Sequence, residues 1–405
     1  MTSLSSSPRY FFSLDTIRGV AALIVVLCHW QFFFYTDDFA PLPTLEGAGL
    51  PMYPYLAMVY NLAPYAVDLF FLLSGFIFFW FYADKIASKK TSFNDFIIFR
   101  FTRLYPVHFI TLMSLVVLQP IMYSLNGHYF IIQNNDTYHF ILHLFLIHTW
   151  GFEKTPALNG FNGPSWSASV EVLLYLVFFV LCWFKLQRSK VMIIGIILLA
   201  AVIQYIYPMV GQGLYSFFLG ALVYHIYDWV VDRDNARKIT NGIIILAALL
   251  WIFILCEYTF SFTRSASMIW LQKFLPGKDA AADTRLFDIG RNTFFRTVIS
   301  PVSVLMLALL ESAYGSVKIK WMLVLGNASY AIYLIHFPLM VLFVIVTDLF
   351  GISRDIFYSP FTMLFFYAIL IPLSMVVHYY YELPVQQLLR KKLTSRRPVA
   401  VEATT

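Results

Sequence analysis

The sequence predicts an all-α membrane protein, a polytopic bundle of about ten transmembrane helices with both termini cytoplasmic. Three observations lead there. Of 405 residues, 60% are hydrophobic and 12% charged, more apolar mass than a soluble core uses. The apolar runs recur at the roughly 17–25 residues that cross about 30 Å of hydrocarbon. Finally, Lys and Arg gather in alternate loops.

Taken in order, spans are predicted near 14–34, 64–83, 104–125, 166–185, 191–207, 211–229, 239–260, 294–313, 322–346 and 361–381. The first thirteen residues are polar and Ser-rich, and no small-residue cleavage site follows the first apolar run, so that run is expected to remain as a helix. With the N-terminus inside, the inner loops hold 19 of the 28 Lys and Arg and the outer loops seven, which is the positive-inside pattern. Residues 138–150, YHFILHLFLIHTW, are apolar but short; this length predicts an interfacial or re-entrant segment. One membrane domain is expected over 1–384. A basic, disordered tail follows over 385–405, where Arg390, Lys391, Lys392, Arg396 and Arg397 suit anionic lipid headgroups.

Cys28, Cys182 and Cys256 all fall in apolar segments without metal-ligand spacing, so neither disulfides nor a metal are expected. His139, His143 and His148 supply two ligands at helical spacing and no positioned third. No basic stripe interleaved with exposed aromatics points to nucleic acid, despite a net charge of +6.

Arg18 and His29 organise the first span. Eleven residues at about 100° each leave them roughly 20° apart around the axis and about 16 Å apart along it. Ionisable groups in hydrocarbon usually line a functional cavity. Counting along the other spans brings Asp68, Glu171 and His336 to the depth of His29, in the outer third. Arg100 and Arg103, in FRFTRLYP, form a second layer with Arg18 at the inner face. Their planar forks suit phosphate oxygens, although positive-inside anchoring alone would also place them there.

LDTIRGVAALIVVLCH, VDLFFLLSGF, FRFTRLYP, GPSWSASVEVLLY, LGNASYAIYLIHFPL and YELP follow one another over residues 14–384. In this set and order the sequence resembles the acyltransferase-3 family of membrane-bound acyltransferases, which includes carbohydrate O-acetylases of bacterial envelopes. Ala168 stands where relatives often carry a larger residue. The resemblance implies an acyl-CoA donor, usually acetyl-CoA, bound from the cytosol, and a carbohydrate acceptor such as O-antigen, exopolysaccharide or an oligosaccharide. It implies a bacterial inner membrane. Arg18 and His29 match the family's essential pair, Arg100 and Arg103 the arginine motif associated with the donor, and Glu171 the carboxylate of its GPxWS stretch.

On this reading His29 acts as general base or transient acyl carrier, with the base favoured. Glu171 or Asp68 orients its ring, and His336 joins the other carboxylate or the acceptor. Tyr330 and Ser329 are expected to donate to the thioester carbonyl, and Trp166 to offer a sugar a stacking face. The rival reading is a transporter of a lipid-linked sugar or acyl group along the same charged path.

Overall fold

The structure, a computed structural model, describes residues 10–35, 38, 49–153, 160–274, 280–316 and 318–394. Arg396 and Arg397 of the expected tail lie outside them. Among the described residues there is no strand, only an isolated bridge between Asn134 and Gly160. The helices are α1 (Phe12–His29), α2 (Tyr53–Leu62), α3 (Ala66–Phe81), α4 (Ala83–Ala87), α5 (Phe93–Asn126), α6 (Thr137–Leu144), α7 (Trp166–Trp183), α8 (Lys190–Ile203) and α9 (Pro208–Val231). They continue with α10 (Ala236–Phe260), α11 (Phe262–Phe274), α12 (Ala280–Phe294), α13 (Ser300–Tyr314), α14 (Lys320–Asn327), α15 (Ser329–Leu349), α16 (Pro360–Val377) and α17 (Leu383–Leu393).

Nine helical stretches among the described residues are long and apolar enough to cross a bilayer. The tenth expected span, 191–207, is α8. At 14 residues it rises only about 21 Å, short of a full crossing, because the chain turns at Gln204–Tyr207 before Pro208 starts α9.

Buried carboxylates start two of these helices. The first N–H groups of a helix have no partner within it; in α1 the amides of Phe12 and Ser13 donate to Glu311 of α13, each at 2.9 Å. Glu257 serves α11 in the same way, accepting from the amides of Thr263 and Arg264. Small residues then set how closely helices approach. A side chain on Gly75 would meet the Phe217 carbonyl at 1.9 Å, and one on Gly220 the Leu72 carbonyl at 2.1 Å, so α3 and α9 pack backbone to backbone. Gly19 and Gly326 bring α1 and α14 together likewise.

The centre of the bundle is α15, packed against α5, α1 and α16. Of its best spanning window, 78% is buried within the protein, against 17% for α10 at the periphery. Residues that need a protein environment therefore belong on α15.

Two expected boundaries change and a third segment stays short. Helix α5 begins at Phe93, where the Ser92 hydroxyl accepts from the Asp95 amide; its 34 residues reach about 51 Å, so Arg100 and Arg103 stand within a continuous helix rather than before it. Residues 385–393, expected as disordered tail, form most of α17. Its Arg390 guanidinium lies over the Phe99 ring and donates to the Thr102 hydroxyl of α5, an anchor that composition does not reveal. Residues 138–150 hold only the eight-residue α6, about 12 Å of helix and too short to span.

Candidate active site

His29 is the last residue of α1, where the chain tightens into the 3₁₀ turn Trp30–Phe34. That turn is fixed from outside: the Trp30 indole donates to the Phe357 carbonyl at 3.0 Å, and Phe33 stacks on the Phe357 ring. Across from it, α15 brings in His336, which is fully buried. Nδ1 of His29 and Nε2 of His336 are 2.8 Å apart. Phe32 lies almost parallel to the His29 ring, at 4.8 Å between centroids.

Nδ1 of His336 is buried without a hydrogen-bond partner, and Nε2 of His29 makes no hydrogen bond among the described residues. One hydrogen lies between the two facing nitrogens, and the tautomers decide which ring supplies it. An imidazole occupies the place where a carboxylate was expected.

The carboxylates themselves are elsewhere. Asp68 uses its oxygens on the Ser216 hydroxyl (2.6 Å), the Gln212 amide (2.9 Å) and the Arg296 guanidinium (2.9 Å). Arg296 is carried there by a π-helical turn, Phe295–Ile299. Glu171 accepts from the Tyr175 hydroxyl at 2.7 Å and from Ser74 at 3.2 Å, and it lies within Coulombic range of Arg103 and Tyr330. Neither has a hydrogen bond to His29 among the described residues. Counting residues along separate helices to one expected depth did not predict which of the four meet.

A second cluster gathers at the Arg18 end. Arg18 pairs with Asp15 at 2.7 Å, and Arg103 is within Coulombic range of Glu382, Tyr175, Asp15 and Glu171. Arg100 donates to the Tyr82 hydroxyl, rests against the rings of Phe78 and Tyr82, and keeps Nε without a partner. Arg390 is within Coulombic range of both Arg100 and Arg103. Such an excess of planar donors fits a polyanion. Glu382 is held by His378 at 2.8 Å, also within a π-helical turn.

Between the two clusters α15 presents Tyr330, Tyr333 and His336 at intervals of three residues, a rise of about 9 Å. Tyr330 gives its hydroxyl hydrogen to the Leu104 carbonyl at 3.0 Å, so that hydrogen is engaged rather than free for a thioester. Ser329 is buried in the first turn of α15. Trp166 packs its ring against Phe71 and is partly buried instead of forming an open platform. The outer histidines also close up: His143 stacks on His148 at 3.6 Å, Ser165 lies 3.2–3.4 Å from a nitrogen of each, and Nε2 of His108 donates to the His143 carbonyl. No three His, Cys, Asp or Glu converge as metal ligands among the described residues. An apolar groove of about 650 Å³ runs between α10, α11 and α12, lined by Phe253, Trp270, Leu286 and Phe294; it lacks the paired imidazoles of α1 and α15.

Comparison with known proteins gives the family. The family model described as an acyltransferase domain matches residues 11–381, nearly the whole chain. The chain belongs to the acyltransferase-3 family. With nine helices among the described residues apolar and long enough to cross a bilayer, it is an integral membrane protein of that family. It is 33% identical over 179 residues to "Acyltransferase MdmB" of Streptomyces mycarofaciens, a match covering 44% of this chain and 40% of that protein. It is 37% identical over 107 residues to "Protein 2 in picA locus" of Rhizobium radiobacter, covering 26% of this chain and 44% of that protein. The chain thus aligns with less than half the length of either relative. No solved structure matches it.

Within this family member, Asp15, Tyr82 and Glu382 join the polar network without having been singled out from the sequence, and Arg390, expected at lipid headgroups, joins it as well. LDTIR and YELP contained the two acids; only the tertiary fold brings them into the neighbourhood of Arg103.

Proposed function

We propose that the protein moves an acyl group, acetyl, from cytosolic acyl-CoA to a hydroxyl of an envelope or exported carbohydrate, across a bacterial inner membrane with both chain termini in the cytoplasm. The observation that carries this reading is the imidazole pair of α1 and α15, set in one bundle with a cluster of arginines about 16 Å along α1. Arg18, Arg100 and Arg103 are the donor-binding residues, and the unpartnered Nε of Arg100 is a buried donor in want of an anion. The phosphates of the CoA would engage this cluster, and its flexible arm would carry the thioester toward His29.

At that end His29 is the general base. Its Nε2 removes the hydrogen of the acceptor hydroxyl while the hydroxyl oxygen attacks the thioester carbonyl carbon. A carbon–oxygen bond forms, the carbon–sulfur bond breaks, and the imidazolium returns its proton to the departing thiolate. His336 accepts from Nδ1 of His29 throughout and so holds the ring and its tautomer. Being neutral, it gives the imidazolium less support than a carboxylate would. Glu171 acts on the donor side, by orienting Tyr175 and Arg103. Asp68 serves the scaffold.

The test is transfer of labelled acetyl from acetyl-CoA to envelope glycan in inverted membrane vesicles. His29→Ala is expected to lower transfer by about 10²–10⁴-fold, the usual worth of a general base, at unchanged membrane abundance. Full transfer by this variant removes the base assignment and favours a carrier or scaffold protein. Arg103→Gln is expected to weaken acetyl-CoA binding; unaltered binding rejects the donor site.

A further inference from the structure

We infer that Asn162 is a positioning residue for His336, acting through the Leu334 carbonyl that Pro338 leaves without a helical partner. The inference rests on the role of the imidazole pair proposed above and adds what holds it.

In a regular helix the carbonyl of residue 334 accepts from the amide of residue 338. Residue 338 is a proline in the interior of α15, so that hydrogen is missing, and its ring presses on the same carbonyl. A buried carbonyl seldom stays unpaired. Here the Asn162 side chain supplies the donor, with Nδ2 at 3.2 Å from the Leu334 oxygen.

Asn162 is well placed to do this with little freedom. It is fully buried, and its own carbonyl accepts from both the amide (3.0 Å) and the hydroxyl (2.7 Å) of Ser165. The short turn it opens, Gly163–Ser165, leads directly into α7. The same turn is tied to α15 once more: the Tyr333 hydroxyl donates to the Pro164 carbonyl at 2.7 Å and accepts from Ser167 at 2.9 Å. Two consecutive residues of α15, Tyr333 and Leu334, are therefore gripped from outside, immediately before His336. At 2.8 Å from His29, a small change in the local axis of α15 would break the imidazole contact. A proline that only bent the helix would need no such clamp.

The arrangement predicts a specific rescue. Pro338→Ala restores the amide hydrogen that Leu334 lacks, so it removes the need for Asn162. Acetyl transfer from labelled acetyl-CoA is followed against pH for the full chain in inverted vesicles, with thermal midpoints of the purified variants taken in parallel. Asn162→Ala is expected to lower kcat at least tenfold, to leave the KM for acetyl-CoA within twofold, and to displace the acid limb of the kcat profile. In the Pro338→Ala background the same substitution is expected to cost less than twofold, with the acid limb of its parent. If Asn162→Ala alone does not fold, the double variant should recover folded protein, and failure to recover overturns the inference. An equal loss in both backgrounds also overturns it, while leaving the imidazole pair intact. Full transfer by His29→Ala, measured alongside, instead overturns the role of the pair and the positioning role with it.

Discussion

Asp68 and Arg296 meet at 2.9 Å between α3 and the π turn ahead of α13, and His29 and His336 meet at 2.8 Å between α1 and α15. Both are contacts of polar side chains among apolar helices, and both belong to residues that hydropathy counts against a span. Their valences differ. The carboxylate of the first pair is used up by a cation, a hydroxyl and an amide, whereas in the second Nε2 of His29 makes no hydrogen bond among the described residues. A charged pair inside a membrane is held for structure when every oxygen is taken. An imidazole pair with one nitrogen left without a protein partner is the kind of group the proposed chemistry needs.

The comparison breaks most sharply at Arg296. Arg296→Met leaves the Asp68 carboxylate buried without its cation, a change that costs about 3–5 kcal/mol where one member of a buried pair is removed. Folded yield and thermal midpoint in detergent should fall steeply. Joint replacement, Asp68→Leu with Arg296→Met, should recover much of the loss, since the charge and its partner go together. Normal stability with abolished transfer in Arg296→Met would instead move this pair into the catalytic machinery.

At the other pair the expected loss is in rate. On the proposed mechanism His336→Leu removes the acceptor that fixes the His29 tautomer, and it is expected to cost about 10–100-fold in kcat, the range for an orienting partner, with little change in thermal midpoint. His336→Gln offers an amide oxygen in the same place and should retain more activity than His336→Leu. Equal rates in the two variants would mean that the ring of His336 is only packing.

The sequence carried this division in part. The helical segments were legible, as was the placing of Arg18 and His29 on one helix, because length and period are local properties of the chain. The partner of His29 was not, because it lies 307 residues away and depth along a helix supplies one coordinate of three. Asp68 and Glu171 were counted to the level of His29 and face other neighbours. Glu382 and Arg296 were obscured for a further reason: each sits in a π-helical turn, where the extra residue rotates every later side chain away from the direction that regular spacing assigns. Asn162 was hidden in turn chemistry, since its target is created by a proline on another helix.

Tyr330 offers the finest separation between holding and reacting. Its hydroxyl hydrogen goes to the Leu104 carbonyl at 3.0 Å, which joins the start of α15 to α5 at the level of the arginine cluster. Were that its whole work, Tyr330→Phe would remove one hydrogen bond, worth about 0.5–1.5 kcal/mol, and leave the ring in place. The expected result is a small drop in thermal midpoint with kcat within a few-fold of the parent. A donor to the developing oxyanion would behave differently, because losing one such group costs about 10²–10³ in kcat. A loss of that size at an unchanged midpoint would mean that the hydroxyl turns from Leu104 to the thioester when the donor binds, and that the boundary between the scaffold and the reacting groups runs lower on α15 than His336.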